Sequence, residues 1–588
     1  MIAHSRPATR QVNTTAVTVV VCIALGAVAA AMASLNVALP GLARSTQASQ
    51  TQLEWIIDAY SLIFAALLLP AGALGDRYGR RRALIVGLAI FGGASAIAMT
   101  ASSAGELIVL RGLLGVGGAL VMPATLSTIT STFPPAERTR AVSVWAGVAG
   151  GSALLGLLCT GALLEVFSWR SAFAVNVVLA VLAMAGTIRF VPESANPAAP
   201  PLDKVGASLV MLSLVALVFS IIQAPEAGWL AARTLGGLAA GLAGLALFTG
   251  WELKQCLPGQ PAPADLPGHP MLDPRLFRNR RLSAGSLSIF IQFFAFFGFT
   301  FIALQYLQGV RGYRPLVAAL CVLPLAAAMM PTAKITPRLT ARFGARNVCV
   351  AGLVLVAAGL AIISRVGTSS PYLLLVAGLI PLGIGMGAAM TPATTAITES
   401  LPAAQQGVGS ALNDLSREVG GALGIAVVGS IVTAIYRSHL QLAGVPAALA
   451  SKARGSFAVA IHAGGPLRAS ASTAFTDGIH TGLLYAAAAA LLAAVSVAVL
   501  LAGDLRPRRA GRGLQPAAGQ PAAGQPAAGQ PAAGPAAAGP AAAGPAAARS
   551  AAAGATAARS AAAGATAARS AAAGAAAAGQ PELVPARR

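Results

Sequence analysis

Apolar residues fill long stretches of this chain without the alternation of a half-buried strand, and the stretches recur from position 15 to position 502 with short polar breaks between them. Each holds about twenty residues, enough at about 1.5 Å per residue for a helix to cross a hydrocarbon layer of about 30 Å. The pattern predicts spans over 15–39, 53–74, 83–100, 106–129, 141–164, 172–190, 205–223, 234–251, 284–307, 315–335, 347–364, 371–397, 407–435 and 478–502. The fold class is therefore all-α integral membrane, with 14 transmembrane helices.

Composition agrees: 56% of the 588 residues are hydrophobic, 10% are charged, and mean hydropathy is +0.74, more apolar than a soluble core needs. The net charge of +22 would point to nucleic acid in a soluble protein. Here Lys and Arg gather in alternate short loops, which fits membrane topology instead and places both termini on the cytoplasmic side of a plasma (inner) membrane. Arg6 and Arg10 before the first run, with Ala31-Met32-Ala33 inside it, resemble a secretory signal, but the run is too long for one. Cys22, Cys159, Cys256, Cys321 and Cys349 form no CxxC and have no metal spacing with His, so free thiols and no metal are expected.

The expected organisation is a cytoplasmic N-terminus (1–14), a six-helix bundle (15–190), two additional helices (205–251), a cytoplasmic central loop (252–283), a second six-helix bundle (284–502) and a low-complexity tail (505–588). The most exposed outer segment is expected at 437–474. GQPAA and GPAAA units and a ten-residue unit from Arg549 make a tail that cannot build a core; a disordered extension and a docking tail are both open. Leu74-x-Asp76-Arg77-Tyr78-Gly79-x-Arg81 recurs as Leu339-x-Ala341-Arg342-Phe343-Gly344-x-Arg346, with both copies between spans and the same helix directions. Such repeats suggest two related bundles facing a shared midplane site.

The segment from Gly72 through Asp76, Arg77, Gly79, Arg80, Arg81 and Arg82 to Leu84 is the sharpest signal. Gly72 and Gly79 permit close helix approach and a tight turn, and a carboxylate at Asp76 can accept the partial positive charge of another helix N-terminus, worth about 0.3–1 kcal/mol. A latch biasing two conformations is one reading; arginines that merely set topology are the other. The segment resembles the signature loop of the major facilitator superfamily. Asn36-Val-Ala-Leu-Pro40, Trp55-Ile-Ile-Asp58-Ala-Tyr60, Ser168-Trp169-Arg170, Leu276-Phe277-Arg278-Asn279-Arg280 and Ser410 through Asn413 and Arg417 to Gly421 extend the likeness, from about residue 15 to 505, to fourteen-helix drug:proton antiporters of the EmrB/QacA type. The resemblance implies the major facilitator fold with two extra central helices, a latch partner near Gly407 to Ser410, and a cavity role for Asn36, Trp55 and Tyr60.

Charges within spans are functional candidates because lipid disfavours them. Asp58 and Arg111 lie at similar depths, so they are expected to face a common cavity where a carboxylate exchanges Arg111 for a proton or a cationic substrate; a static ion pair is the alternative. Arg111 with Gly115 matches the family's fourth-span motif. Asp414 and Arg417 lie three apart on one face beside Glu418, leaving self-neutralisation and coupling equally open. Pro123, Gly156, Gly161 and Pro392 are candidates for packing or gating. Departures from the family are Ala31 where an acid is usual in span 1, Ala33, Leu114 for Gln, and Leu157 and Thr160 in the span-5 antiporter motif.

The sequence thus predicts a secondary transporter, not an enzyme, that exports hydrophobic or amphiphilic molecules such as drugs, antibiotics or a secondary metabolite, by alternating access in exchange for protons. The alternative is a coupling-deficient sensor or accessory protein. No cofactor, metal or nucleic-acid partner is expected; partners are the solute, protons and the bilayer, and a monomer is the expectation. No Walker A motif, HExxH or GxSxG is present to suggest ATP-driven pumping or hydrolysis.

Overall fold

The computed structural model describes residues 13–195, 203–255, 272–401 and 406–502. Cys256, most of the 252–283 loop and the 505–588 tail lie outside them. Thirteen helices are long and apolar enough to cross a membrane, or fourteen if the bent pair Arg140–Ala149 and Gly151–Leu163 counts as one span.

The first bundle comprises α1 (Thr14–Thr46), α2 (Gln50–Tyr78), α3 (Arg80–Ala98), α4 (Ala104–Thr132), α5 (Pro135–Leu163) and α6 (Ser171–Phe190). Local chemistry starts these helices: Asn13 Oδ1 accepts from Ala16 N, Ser49 and Gln52 form a capping box, and Ser103 Oγ accepts from Glu106 N. The extra pair is α7 (Lys204–Ala227) and α8 (Ala232–Gln255). The second bundle comprises α9 (Arg280–Gln305), α10 (Pro315–Cys321), α11 (Leu323–Phe343), α12 (Ala345–Ile363), α13 (Tyr372–Glu399), α14 (Gln406–His439) and α17 (Gly465–Leu500), with short α15 (Ala447–Gly455) and α16 (Phe457–His462) before α17.

Helix ends fall on two faces. The α2–α3 and α11–α12 turns share one, called here the basic face; the α1–α2 turn and α15–α16 share the far face. Both copies of the internal repeat make the same turn: Gly79 (φ 118°) and Gly344 (φ 83°) end one helix and begin the next. Only glycine adopts those angles without strain.

Burial separates the central helices from the peripheral ones. Of the most apolar window, 83% is buried in Arg280–Val310 and 17% in Ala232–Gln255, so α9 is central and α8 lies against lipid. α7 runs along the seam between bundles, packing on α2 and α14 through Leu214, Val218 and Ile222 against Leu62 and Ala426.

The tenth span runs over Pro315–Phe343, with a one-residue interruption at Val322 between α10 and α11, where Pro324 cannot donate to the preceding turn. Many positions of the outer 437–474 segment are exposed, and its two short helices pack on the bundle. Phe457 stacks on Phe475 at 4.0 Å, Tyr436 donates to the Ala453 carbonyl at 2.8 Å, and Phe457, Ala460 and Ile461 are buried.

Candidate functional site

Arg111 is 1% exposed in α4, and its guanidinium is satisfied by backbone. Nε donates to Ile56 O at 2.8 Å, Nη1 to Ala31 O at 3.3 Å and Nη2 to Ile57 O at 3.5 Å, while its carbon lies 4.4 Å from the centroid of the Tyr60 ring. Tyr60 in turn donates to Val28 O at 3.0 Å. Gly115 makes this possible, because a Cβ there would meet Tyr60 O at 2.6 Å. A static Asp58–Arg111 ion pair, the alternative to a shared cavity, is not among the salt bridges of the described residues; the Arg111 hydrogen bonds tie α4 to α1 and α2 inside the first bundle. Its contact with Ala31 falls where the family's span-1 acid is missing.

Asp58 makes no hydrogen bond to Arg111, although the two stay close enough for their charges to interact. Glu54, Asp58, Ser61 and Ala65 recur at spacings of four and three and therefore share one helix face. Glu54 marks where that face looks. Its Oε1 accepts from Thr433 Oγ1 of α14 at 3.0 Å, and a Cβ added to Gly429 of α14 would sit within 3.1 Å of its carboxyl group. Glu54 and Asp58 are both fully buried, and Glu54 Oε2 and both Asp58 oxygens have no hydrogen-bond partner. Glu54 escaped the sequence reading, which placed it at the outer flank of span 2; its i, i+4 relation to Asp58 was the available signal.

Of the other cavity candidates, Tyr60 lies near both Arg111 and Glu418 of α14. Trp55 faces α7, 5.7 Å from Phe219, so its assignment to the cavity is corrected: the next position on a helix turns about 100° away from Glu54. Asn36 is buried and donates weakly to Ala33 O at 3.3 Å, leaving Oδ1 unpaired. In α14, Asp414 and Arg417 pair at 3.6 Å, and Arg417 lies 4.6 Å over Phe293 of α9. Glu418 is buried beside them with Oε2 unpaired. The phenylalanines of α9 that receive α14, Phe290, Phe294 and Phe297, were also missed; Gly420, Gly424 and Gly421 of α14 lie directly against them.

Among the described residues, the contacts of Asp76, Arg81 and Arg82 lie within the first bundle and the segment after α6. Asp76 bonds Arg80 Nε at 2.8 Å, Arg81 Nη2 reaches Ile188 O at 2.7 Å, Arg81 N donates to Glu193 Oε1 at 3.3 Å, and Arg82 lies 3.7 Å from Glu193. Arg77 stacks on the adjacent Tyr78 ring at 5.9 Å. The described partner of Asp76 is thus Arg80; the latch partner suggested near Gly407 to Ser410 falls partly outside the described residues. Gly72 packs on Pro123, a Cβ at Gly156 would meet Ala30 O at 2.8 Å, and a Cβ at Gly161 would meet Leu316 Cα of α10 at 3.1 Å. Gly161 therefore lies on the seam between bundles. Pro392 lines a cavity of about 880 Å³ on the basic face, with Arg281, Arg342, Arg346 and Glu399 at its walls.

Polar bridges join the bundles at the far end: Glu54 to Thr433, Gln308 Nε2 to Val37 O at 2.9 Å, and Glu165 to Leu316 N at 3.2 Å with Arg314 at 3.9 Å. The extra helix adds a strap, with Glu226 of α7 bonding Thr51 of α2 at 2.9 Å and Arg437 of α14 at 2.8 Å. Among the described residues no group of three or more His, Cys, Asp or Glu assembles for a metal. Cys22, Cys159, Cys321 and Cys349 are free thiols.

The sequence profile described as Major Facilitator Superfamily matches residues 21–425. The chain is 35% identical over 478 residues to the multidrug efflux pump LfrA of Mycolicibacterium smegmatis, covering 79% of this chain and 92% of the relative. It is 32% identical to the tetracenomycin C resistance and export protein of Streptomyces glaucescens, covering 70% and 74% respectively. In fold it resembles the crystal structure of a bacterial homolog of the human lysosomal transporter Spinster, at TM-score 0.57 and 15% identity over 83% of this chain and 96% of that one.

Proposed function

Since the chain belongs to the Major Facilitator Superfamily, we propose that it exports hydrophobic or amphiphilic small molecules, drugs or antibiotics among them, across the plasma membrane in exchange for protons. It is a multi-pass membrane transporter. Its relatives in Mycolicibacterium smegmatis and Streptomyces glaucescens carry the names of a drug efflux pump and an antibiotic export protein, and that likeness supports the substrate class.

The basic face is cytoplasmic in this reading, with both termini on that side, because Lys and Arg concentrate there. The bundles are bridged at the far end, so the arrangement corresponds to a carrier closed to the outside. Rocking about the midplane would part α2 from α14 and α5 from α10, opening the outer side as the basic ends approach. In that second arrangement Asp76 would meet the α14 N-terminus as a latch.

The observation that carries proton exchange is Asp58: fully buried, on the α2 face that looks across the seam, with neither oxygen bonded. A carboxylate there lacks the donors that stabilise a buried charge, so ionisation demands water, a cation or a moved helix. A proton and a cationic or amphiphilic solute can then compete for one place. Purified protein in liposomes with a pH step tests this, with ethidium as probe. Wild-type protein should drive ethidium against its gradient until a protonophore is added, and Asp58→Asn should leave only downhill movement. Uphill movement by Asp58→Asn at wild-type rate removes Asp58 from the mechanism; no proton-dependent movement of any drug tested by the wild type favours a coupling-deficient sensor.

A further inference from the structure

The α2 face on the seam carries a second acid, and its surroundings differ from those of Asp58. Glu54 sits one turn nearer the far end and reaches into the opposite bundle, where Thr433 donates to Oε1 at 3.0 Å and the missing side chain of Gly429 leaves room for the carboxyl. Its other oxygen is buried without a partner. Two hydroxyls, Thr433 and Ser430, and a glycine form the receiving surface; Ser430 donates to Ile221 O at 2.8 Å, so one neutral donor meets a group that carries a full charge when ionised. Closing α14 over that charge strips its water and offers little in return.

The charges around it do not change this. On α2 itself the neighbour is Asp58, one turn inward, an acid that repels a carboxylate. On α7 the facing group is Glu226, another acid. On α14 it is Arg437, whose guanidinium lies 2.8 Å from Glu226 and also donates to Pro225 O at 3.3 Å. Arg437 is thus held by Glu226 and Pro225, and its charge, which still reaches Glu54, partly offsets that of Glu226, leaving Thr433 as the described hydrogen-bond donor to Glu54.

We propose that Glu54 is a coupling residue of this carrier, a carboxyl that must take up a proton from the outside before α2 and α14 can close at the far end. The proposal rests on the proton-exchange reading above and adds to it a gate and an order. When the seam is open, water solvates the carboxylate; when it closes, the protonated acid fits against Thr433 and Gly429. Drug-free return to the inward-open form then requires a proton, as exchange demands. Asp58, four residues deeper on the same face, is placed to receive the proton on its way to the cytoplasm. The pair supplies an acid site on α2 where span 1 has Ala31.

The distance between the outer ends of the bundles tests this without any transported solute. Spin labels at Ser102→Cys and Ser438→Cys, both exposed far-face positions on opposite bundles, are measured by pulsed electron resonance in nanodiscs, with the five native cysteines replaced by serine. The wild type should populate the short distance at pH 5 and shift towards the long one at pH 8. Glu54→Gln, which keeps the shape and cannot ionise, should hold the short distance throughout, while Glu54→Asp, which keeps the acid, should restore the shift with a displaced midpoint. Elution as a single monodisperse peak shows that each variant is folded. A Glu54→Gln protein that follows the wild-type profile, or a wild type whose distance ignores pH, overturns the proposal. Ethidium flux in the same preparations is scored separately: failed uphill transport with an intact pH-driven, Glu54-dependent shift sinks the export reading and leaves the gate standing.

Discussion

At the far end of α2, Glu54 crosses to Thr433 and lies against Gly429, while Thr51 and Arg437 converge on Glu226 of the extra helix. At its basic end, Asp76 turns back to Arg80 within the same loop, and Arg81 and Arg82 engage the segment after α6. Both ends are polar, but their partners differ: one end binds across the seam and the other binds its own bundle. Burial explains the contrast, since polar groups enclosed between bundles need partners there, whereas an exposed loop can use neighbours and water. Helix ends tied across the seam must part for the outer side to open, and those tied at home are free to acquire a new partner.

Substitutions at each end can break this contrast. The largest effect is expected from Gly161→Leu, which puts a side chain against Leu316 and Pro315 of α10. It should prop the far end open and lower drug efflux by about tenfold or more, ~1.4 kcal/mol per decade; vesicles with matched protein amounts would show it, and normal efflux would mean α5 and α10 need not meet. Gly79→Ala strains the basic turn instead, because φ 118° and ψ 126° with Glu193 alongside should cost about 1–3 kcal/mol. Thermal unfolding in detergent measures that loss, and an unchanged midpoint would show that the loop relaxes freely.

Arg437→Ala removes the ion-pair partner of Glu226 at a site that is 25% and 34% exposed on the two sides, so about 1 kcal/mol is expected after solvent screening. The labelled Ser102–Ser438 distance should broaden at pH 5; a sharp wild-type distribution would assign the closure to α2 and α14 without the strap. The smallest effect belongs to Asp76→Asn. Loss of one i, i+4 pair should change stability by no more than about 0.5 kcal/mol, yet transport should fall if Asp76 has a second partner in the outward-open form. A large drop in unfolding temperature would instead make the Arg80 pair structural.

The signature loop and the embedded charges were legible because their signals are local. Asp58 and Arg111 stood out as ionisable groups in apolar runs, and Gly79 and Gly344 as matching turn residues. Their equal depth suggested a shared cavity, but depth fixes only height along the membrane normal. Rotation about the helix axis gave the Arg111 hydrogen bonds to backbone carbonyls, so that Asp58 feels its charge without bonding it. Trp55 was assigned to the cavity by likeness and packs on α7, a helix whose position along the seam no run of residues reveals. Residues 437–474 read as the most exposed outer segment, and many of them are exposed; tertiary contacts among Tyr436, Phe457 and Phe475 fold its short helices onto the bundle.

By itself the amino-acid order determined that the chain lives in lipid, that its spans are helical and where most of the turns between them fall. Those properties follow from hydrophobic length, backbone hydrogen bonding within each helix and the angles that glycine permits, all decided within a few residues. Only the tertiary structure decided which side of each helix meets which neighbour: that Glu54 lies between bundles, that Arg111 does not pair with Asp58, and that closure is held at the far end. Lipid is nearly as apolar as the helices it surrounds, so burial alone gives weak orientation, and the choice falls to close packing at small residues and to a few polar groups that require partners.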